Sequence, residues 1–159
     1  KAAPLLRESR LIKPSTVVHA SQGDMGRAIG ESHGARLAYP GGLGANDALG
    51  GHVLTHVGID DTRLAARGLP LASTFTDRTT AEHALADLQS AYEDEVRAWL
   101  ADAKPDARIA LAGTFDDAVG RVLLRGSSEP VSGPSAVAVL QRERSAPLGY
   151  FIVTGFVAP

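Results

Sequence analysis

A chain of 159 residues, 44% of them hydrophobic, is long enough to bury one core and needs no second domain. It has no cysteine, which excludes a disulfide framework, a thiolate zinc site and a cysteine nucleophile, and leaves stability to packing. The formal net charge of -2 excludes an overall basic field for a polyanion, so any nucleic-acid contact has to be local.

No apolar run approaches the roughly 20 residues of a membrane span, and Lys1, Arg7, Arg10 and Lys13 leave no signal-peptide core, so no membrane anchor is expected. Residues 1–50 are rich in glycine and proline, as in Pro40-Gly41-Gly42-Leu43-Gly44 and Gly50-Gly51, and keep no sustained period. They are read as a loop-rich segment with translocation as its expected duty. Leu5, Leu6 and Ile12 permit a short helix over residues 3–13, ended by Pro14. Over residues 52–67, Val53, His56, Val57, Leu64 and Ala65 predict one or two helical turns, interrupted at Gly58 and closed by Gly68-Leu69-Pro70.

Ser73-Thr74-Phe75-Thr76-Asp77 is read as a polar capping and turn segment. Thr79 with Glu82 then forms a capping-box pattern ahead of Leu85, Leu88, Tyr92, Val96, Trp99 and Leu100. That spacing predicts one long helix with a single apolar stripe, Asp87, Glu93, Asp94 and Arg97 on its solvent side, and an end at Lys104-Pro105-Asp106. Short strands follow over residues 108–112, 121–125, 136–142 and 150–156. Helices first, strands last and no βαβ alternation predict an α+β fold, with N-terminal helices packed on a C-terminal antiparallel β-sheet.

The first dense chemical signal is Gly51-His52-Val53-Leu54-Thr55-His56-Val57-Gly58, where two imidazoles four apart share a face if the turn is helical. Such groups suit the two proton transfers of RNA transesterification, from the ribose 2′-hydroxyl and to the departing 5′-oxygen. By spacing alone, one core histidine and one surface histidine is the favoured explanation of the pair. Zinc or nickel also fits, but Val53 stands where a metalloprotease helix carries glutamate. Arg63 and Arg67 each lie eleven residues after a histidine, and a guanidinium there could clamp a phosphate or simply sit in water. In the last strand, alternation predicts Tyr150, Ile152, Thr154 and Phe156 on one face. A threonine hydroxyl can bond a base or phosphate and an aromatic can stack on a base, although both are also ordinary strand residues.

Gly51-His52, His56-Val57-Gly58, Leu64 through Arg67, Ser73-Thr74-Phe75-Thr76-Asp77, Thr80-Ala81-Glu82, Trp99-Leu100 and Ile152-Val153-Thr154 stand in one order along the chain. That order resembles the bacterial RNase A-like toxin domains at the C-terminus of CdiA-type proteins of contact-dependent growth inhibition and other polymorphic toxins. It covers about residues 50–159, so residues 51–159 are taken as the toxin domain. The resemblance implies a fold like pancreatic ribonuclease without its disulfides, and a metal-independent, cofactor-free endoribonuclease. It implies a site of histidine, arginine, threonine and tyrosine, carried here by His56, Arg67 and Thr154, with His52 as a further catalytic candidate. Phe156 stands where the tyrosine is expected, and Tyr150 is a substitute hydroxyl; Arg63, Phe156 and Tyr150 are the substrate-binding candidates, with His52 and Arg63 as the alternate register.

The implied reaction ends in a 2′,3′-cyclic phosphate. The implied partners are the RNA substrate and a cognate immunity protein, for a monomeric toxin delivered by its producer and acting in the target-cell cytoplasm. The competing readings are a catalytically weak RNA- or protein-binding domain, and a metal-dependent hydrolase using His52 and His56.

Overall fold

The computed structural model describes residues 37–159 and the backbone of two short strands before them, β1 (Val17–His19) and β2 (Gly23–Asp24). Then come α1 (Gly42–Ala48), a 3-10 turn (Val53–His56), α2 (Asp61–Ala66), β3 (Leu71–Phe75), α3 (Arg78–Ala91) and α4 (Glu93–Asp102). The remaining elements are β4 (Arg108–Thr114), β5 (Gly120–Leu124), β6 (Val131–Gly133), β7 (Ser135–Arg142) and β8 (Tyr150–Ala158). Helices precede the main strands, and β4, β7 and β8 pair antiparallel in that order, as the α+β reading expects. On the far side of β4, β1 and β2 add parallel pairing that the sequence reading did not include. A second antiparallel sheet has the order β3-β5-β6. It is tied to the first where the Val157 amide donates to Ser73 Oγ at 3.2 Å. The helix expected over residues 3–13 lies outside the described residues.

The apolar stripe behaves as its spacing predicts: Leu85, Leu88, Tyr92 and Val96 are buried, with Trp99 and Leu100 packed against them. The helix itself is two, broken at Tyr92, where the backbone leaves the helical region. Tyr92 places its hydroxyl 2.7 Å from the Ala112 carbonyl, and the Val96 amide still reaches the Tyr92 carbonyl at 2.9 Å, so the stripe continues across the joint. The N-cap is Asp77, which accepts from the Thr80 amide at 2.8 Å, and not Thr79. Glu82 therefore closes no capping box; it leaves the helix end and serves α1, as described below. Asp87, expected on the solvent side, is buried at 4% exposure, whereas Glu93, Asp94 and Arg97 are exposed and ion-paired along α4.

Ser73, Thr74 and Phe75 belong to β3, so only Asp77 of that run has the expected capping duty. The segment read as loop also holds α1, whose glycines hid it.

Candidate functional site: a histidine turn clamped to the last strand

The clamp begins with Glu82 on α3, whose two carboxylate oxygens accept from the Ala38 amide at 2.8 Å and the Leu43 amide at 2.9 Å. These bonds fix the start of α1. At its other end, Asn46 pairs with the peptide groups of Ile152, accepting from the amide at 2.7 Å and donating to the carbonyl at 2.9 Å. Asp47 accepts from the amides of Val53 at 3.1 Å and Leu54 at 2.9 Å, satisfying donors at the start of the 3-10 turn. Gly51 is required by space: a Cβ there would stand 2.3 Å from the Ile152 carbonyl oxygen and 2.7 Å from the Asn46 amide nitrogen. The His52 amide then donates to the Val153 carbonyl at 2.9 Å, closing the histidine turn onto β8.

Within this turn the His52 and His56 rings lie 5.9 Å apart, centroid to centroid. His56 is buried at 9% exposure. Burial lowers its pKa to about 4, the positive charges of Arg67 and His52 add to the fall, and Asp47 opposes it. His56 is therefore neutral at pH 7. Gly58, at φ +64°, turns the chain so that its amide reaches the Phe75 carbonyl at 2.9 Å, while the Ile59 amide donates to Thr74 Oγ1 at 2.9 Å. Asp60 caps α2, and Asp61 pairs with Arg121, which also donates to the Ile59 carbonyl at 2.9 Å. So anchored, α2 ends at Arg67, whose guanidinium donates back to the Thr55 carbonyl at 2.8 Å. The structure thus gathers His52, His56 and Arg67. Arg63, four residues earlier in the sequence, is exposed on α2.

The last strand departs from simple alternation. Val139 faces Thr154 but Leu140 faces Ile152, so Val153 is an extra residue, a β-bulge. The bulge reverses which face the following side chains take. Tyr150 and Ile152 belong to the helix-covered core, whereas Thr154 and Phe156 lie opposite Val139 and Val137 on the other face. The expected single face for all four is corrected accordingly. Tyr150 packs edge-on to Tyr39 and Trp99, donates to Gln89 Oε1 at 2.5 Å, and has its pKa raised to about 12 by burial and by Tyr39. It is held in the core and does not join the histidines. Phe156 is buried among Ala110, Ala112, Val137, Val139 and Ala158. Thr154 is 1% exposed, and its hydroxyl has no hydrogen-bond partner among the described residues. It directly follows Val153, whose carbonyl holds the His52 amide.

A family model described as the bacterial CdiA-CT RNAse A domain matches residues 50–157. The chain belongs to this family. A CdiA-type RNase A-like toxin domain is also what the fold resembles: a solved structure described as the CdiA-CT/CdiI complex from Y. kristensenii 33638 aligns with TM-score 0.63. The aligned sequences are 28% identical, over 67% of this chain and 97% of that one. No curated protein gives a significant match.

Among the described residues of the toxin domain, no helix is long and apolar enough to cross a membrane, and no three or more His, Cys, Asp or Glu side chains gather as a metal cage. Asn46 and Asp47 were absent from the sequence candidates. Their signal, an Asn-Asp pair just before Gly50-Gly51-His52, has meaning only once α1 is known to lie against β8.

Proposed function

We propose that this toxin domain is a metal-independent endoribonuclease that cleaves RNA through its own 2′-hydroxyl. The observation that carries the reading is a neutral, buried imidazole at His56 with the Arg67 cation and a second imidazole, His52, beside it. His56 takes the proton of the ribose 2′-hydroxyl as O2′ attacks phosphorus. Arg67 stabilises the added negative charge of the five-coordinate phosphorane. His52 delivers a proton to O5′ as the P–O5′ bond breaks, leaving a 2′,3′-cyclic phosphate and a free 5′-hydroxyl. His52 takes this second role because Tyr150 is committed to Gln89 and Phe156 has no hydroxyl.

Phosphate binding beside Arg67 offsets the charge that depresses His56, so the base strengthens when substrate is present. Thr154 supplies a hydroxyl that has no partner among the described residues for phosphate or base, and Phe156 an aromatic surface; both are buried, so this contact requires their face to be uncovered when RNA binds. Arg63, exposed on α2, binds flanking phosphate.

The solved relative is a complex of CdiA-CT with CdiI. That likeness supports a cognate immunity protein that holds this chain inactive in the producer; we further propose that the chain acts as a monomeric toxin, delivered by a producing bacterium into a target-cell cytoplasm. The test is incubation of the purified chain with RNA in excess chelator, beside His56→Ala. Cleavage that survives chelation and is lost in a folded variant supports the proposal; cleavage abolished by chelator, or unchanged in the variant, refutes it.

A further inference from the structure

The family match starts at residue 50, yet two of the bonds that hold the histidine turn run to Asp47, before it, and Asn46 holds the strand the turn closes onto. Asn46 is fully buried, and its side-chain amide uses both ends on the Ile152 peptide, 106 residues away along the chain. That contact lies one residue before the Val153 bulge, which sets the face taken by Thr154. The adjacent Asp47 uses both carboxylate oxygens on the turn, with a third bond from Asn46 Nδ2 at 3.0 Å. One dipeptide therefore grips both segments that carry the candidate chemistry. Glu82 and the close fit at Gly51 hold the dipeptide itself in place.

We propose that Asn46 and Asp47 are positioning residues of the ribonuclease site. Asp47 fixes the histidine turn and sets a negative charge beside His56, and Asn46 locks β8 in the register that presents Thr154. The functional unit thus reaches upstream to include α1. This inference rests on His56 as the proton-transfer group of the proposed reaction.

The charged groups facing His56 can be named from each neighbouring element: Asp47 from α1, His52 from the turn, and Arg67 from the end of α2. Neither β3 nor β8, which also border the turn, contains Asp, Glu, His, Lys or Arg. Asp47 is the anionic member of the set, and its effect is to ease protonation of His56. A base that must accept a proton in the transition state gains from that anion, because the imidazolium it becomes is stabilised.

The experiment uses the whole chain with Asp47→Asn, reading kcat and KM on an RNA oligonucleotide and the His56 titration by NMR. The expected result is a kcat lowered about tenfold or more, a KM near that of the parent, and a His56 titration moved to lower pH. Parent kcat together with an unmoved titration overturns the proposal. If Asp47→Asn does not fold, Asp47→Glu decides: it keeps the charge but displaces the carboxylate, so a reduced kcat supports positioning and a parent kcat overturns it. If the parent cleaves no RNA yet the titration moves in Asp47→Asn, the ribonuclease reading fails while the charge effect of Asp47 on His56 stands.

Discussion

Lowering the pH from 7 to 4 should destabilise the folded chain by about 3 kcal/mol through His56 alone. The free imidazole value of 6.5 falls to about 4 in the folded protein, mainly by burial. Between those values the unfolded chain binds the proton more readily, so stability is fully present above the unfolded pKa and is lost as the pH falls toward the folded one. With ~1.36 kcal/mol per pKa unit, a gap of about 2.5 units reaches about 3 kcal/mol at pH 4, where half the folded molecules are protonated. Carboxylates titrate in the same window, so the measurement is a comparison. Urea unfolding of the parent and of His56→Gln at pH 7.5, 6, 5 and 4 should show the variant losing less stability by about that amount. Parallel losses in the two proteins would refute the argument that His56 is held neutral by its surroundings.

Gly51→Ala should cost about 3 kcal/mol or more, because its methyl would meet the Ile152 carbonyl at 2.3 Å, and urea unfolding with RNA cleavage should show both stability and activity falling. Thr154→Val removes a buried hydroxyl that has no partner among the described residues, so stability should hold or rise by about 1 kcal/mol while cleavage falls about tenfold. Equal cleavage would remove Thr154 from the site. Arg67→Ala should lower kcat/KM about 100-fold or more, whereas Arg63→Ala should weaken binding by less than about tenfold. The reverse order would restore the alternate register.

Periodicity carried the fold furthest where one pattern faced one environment. The stripe from Leu85 to Leu100 and the four main strands were legible because alternation and helical spacing survive from sequence to structure. The break at Tyr92 was not legible, since the same apolar spacing fits a straight helix and one jointed by a buried tyrosine hydroxyl. At Val153 a single bulged residue changed the face of Thr154 and Phe156, and bulges have no strong local signal. The histidine–arginine spacing repeated itself, so sequence could not choose between Arg63 and Arg67; the turn at Gly58 and the anchor of α2 bring Arg67 to Thr55. Asn46, Asp47 and Glu82 bind partners far along the chain or on another element, and no local pattern records such contacts.

The central claim is attack by the ribose 2′-hydroxyl, and a DNA oligonucleotide carrying a single ribonucleotide tests it most directly. Incubated with the purified chain in excess chelator, it should be cut only on the 3′ side of that ribonucleotide, leaving a 2′,3′-cyclic phosphate, and its 2′-O-methyl counterpart should remain intact. Cleavage of the methylated strand, or products ending in 5′-phosphate, would contradict the account.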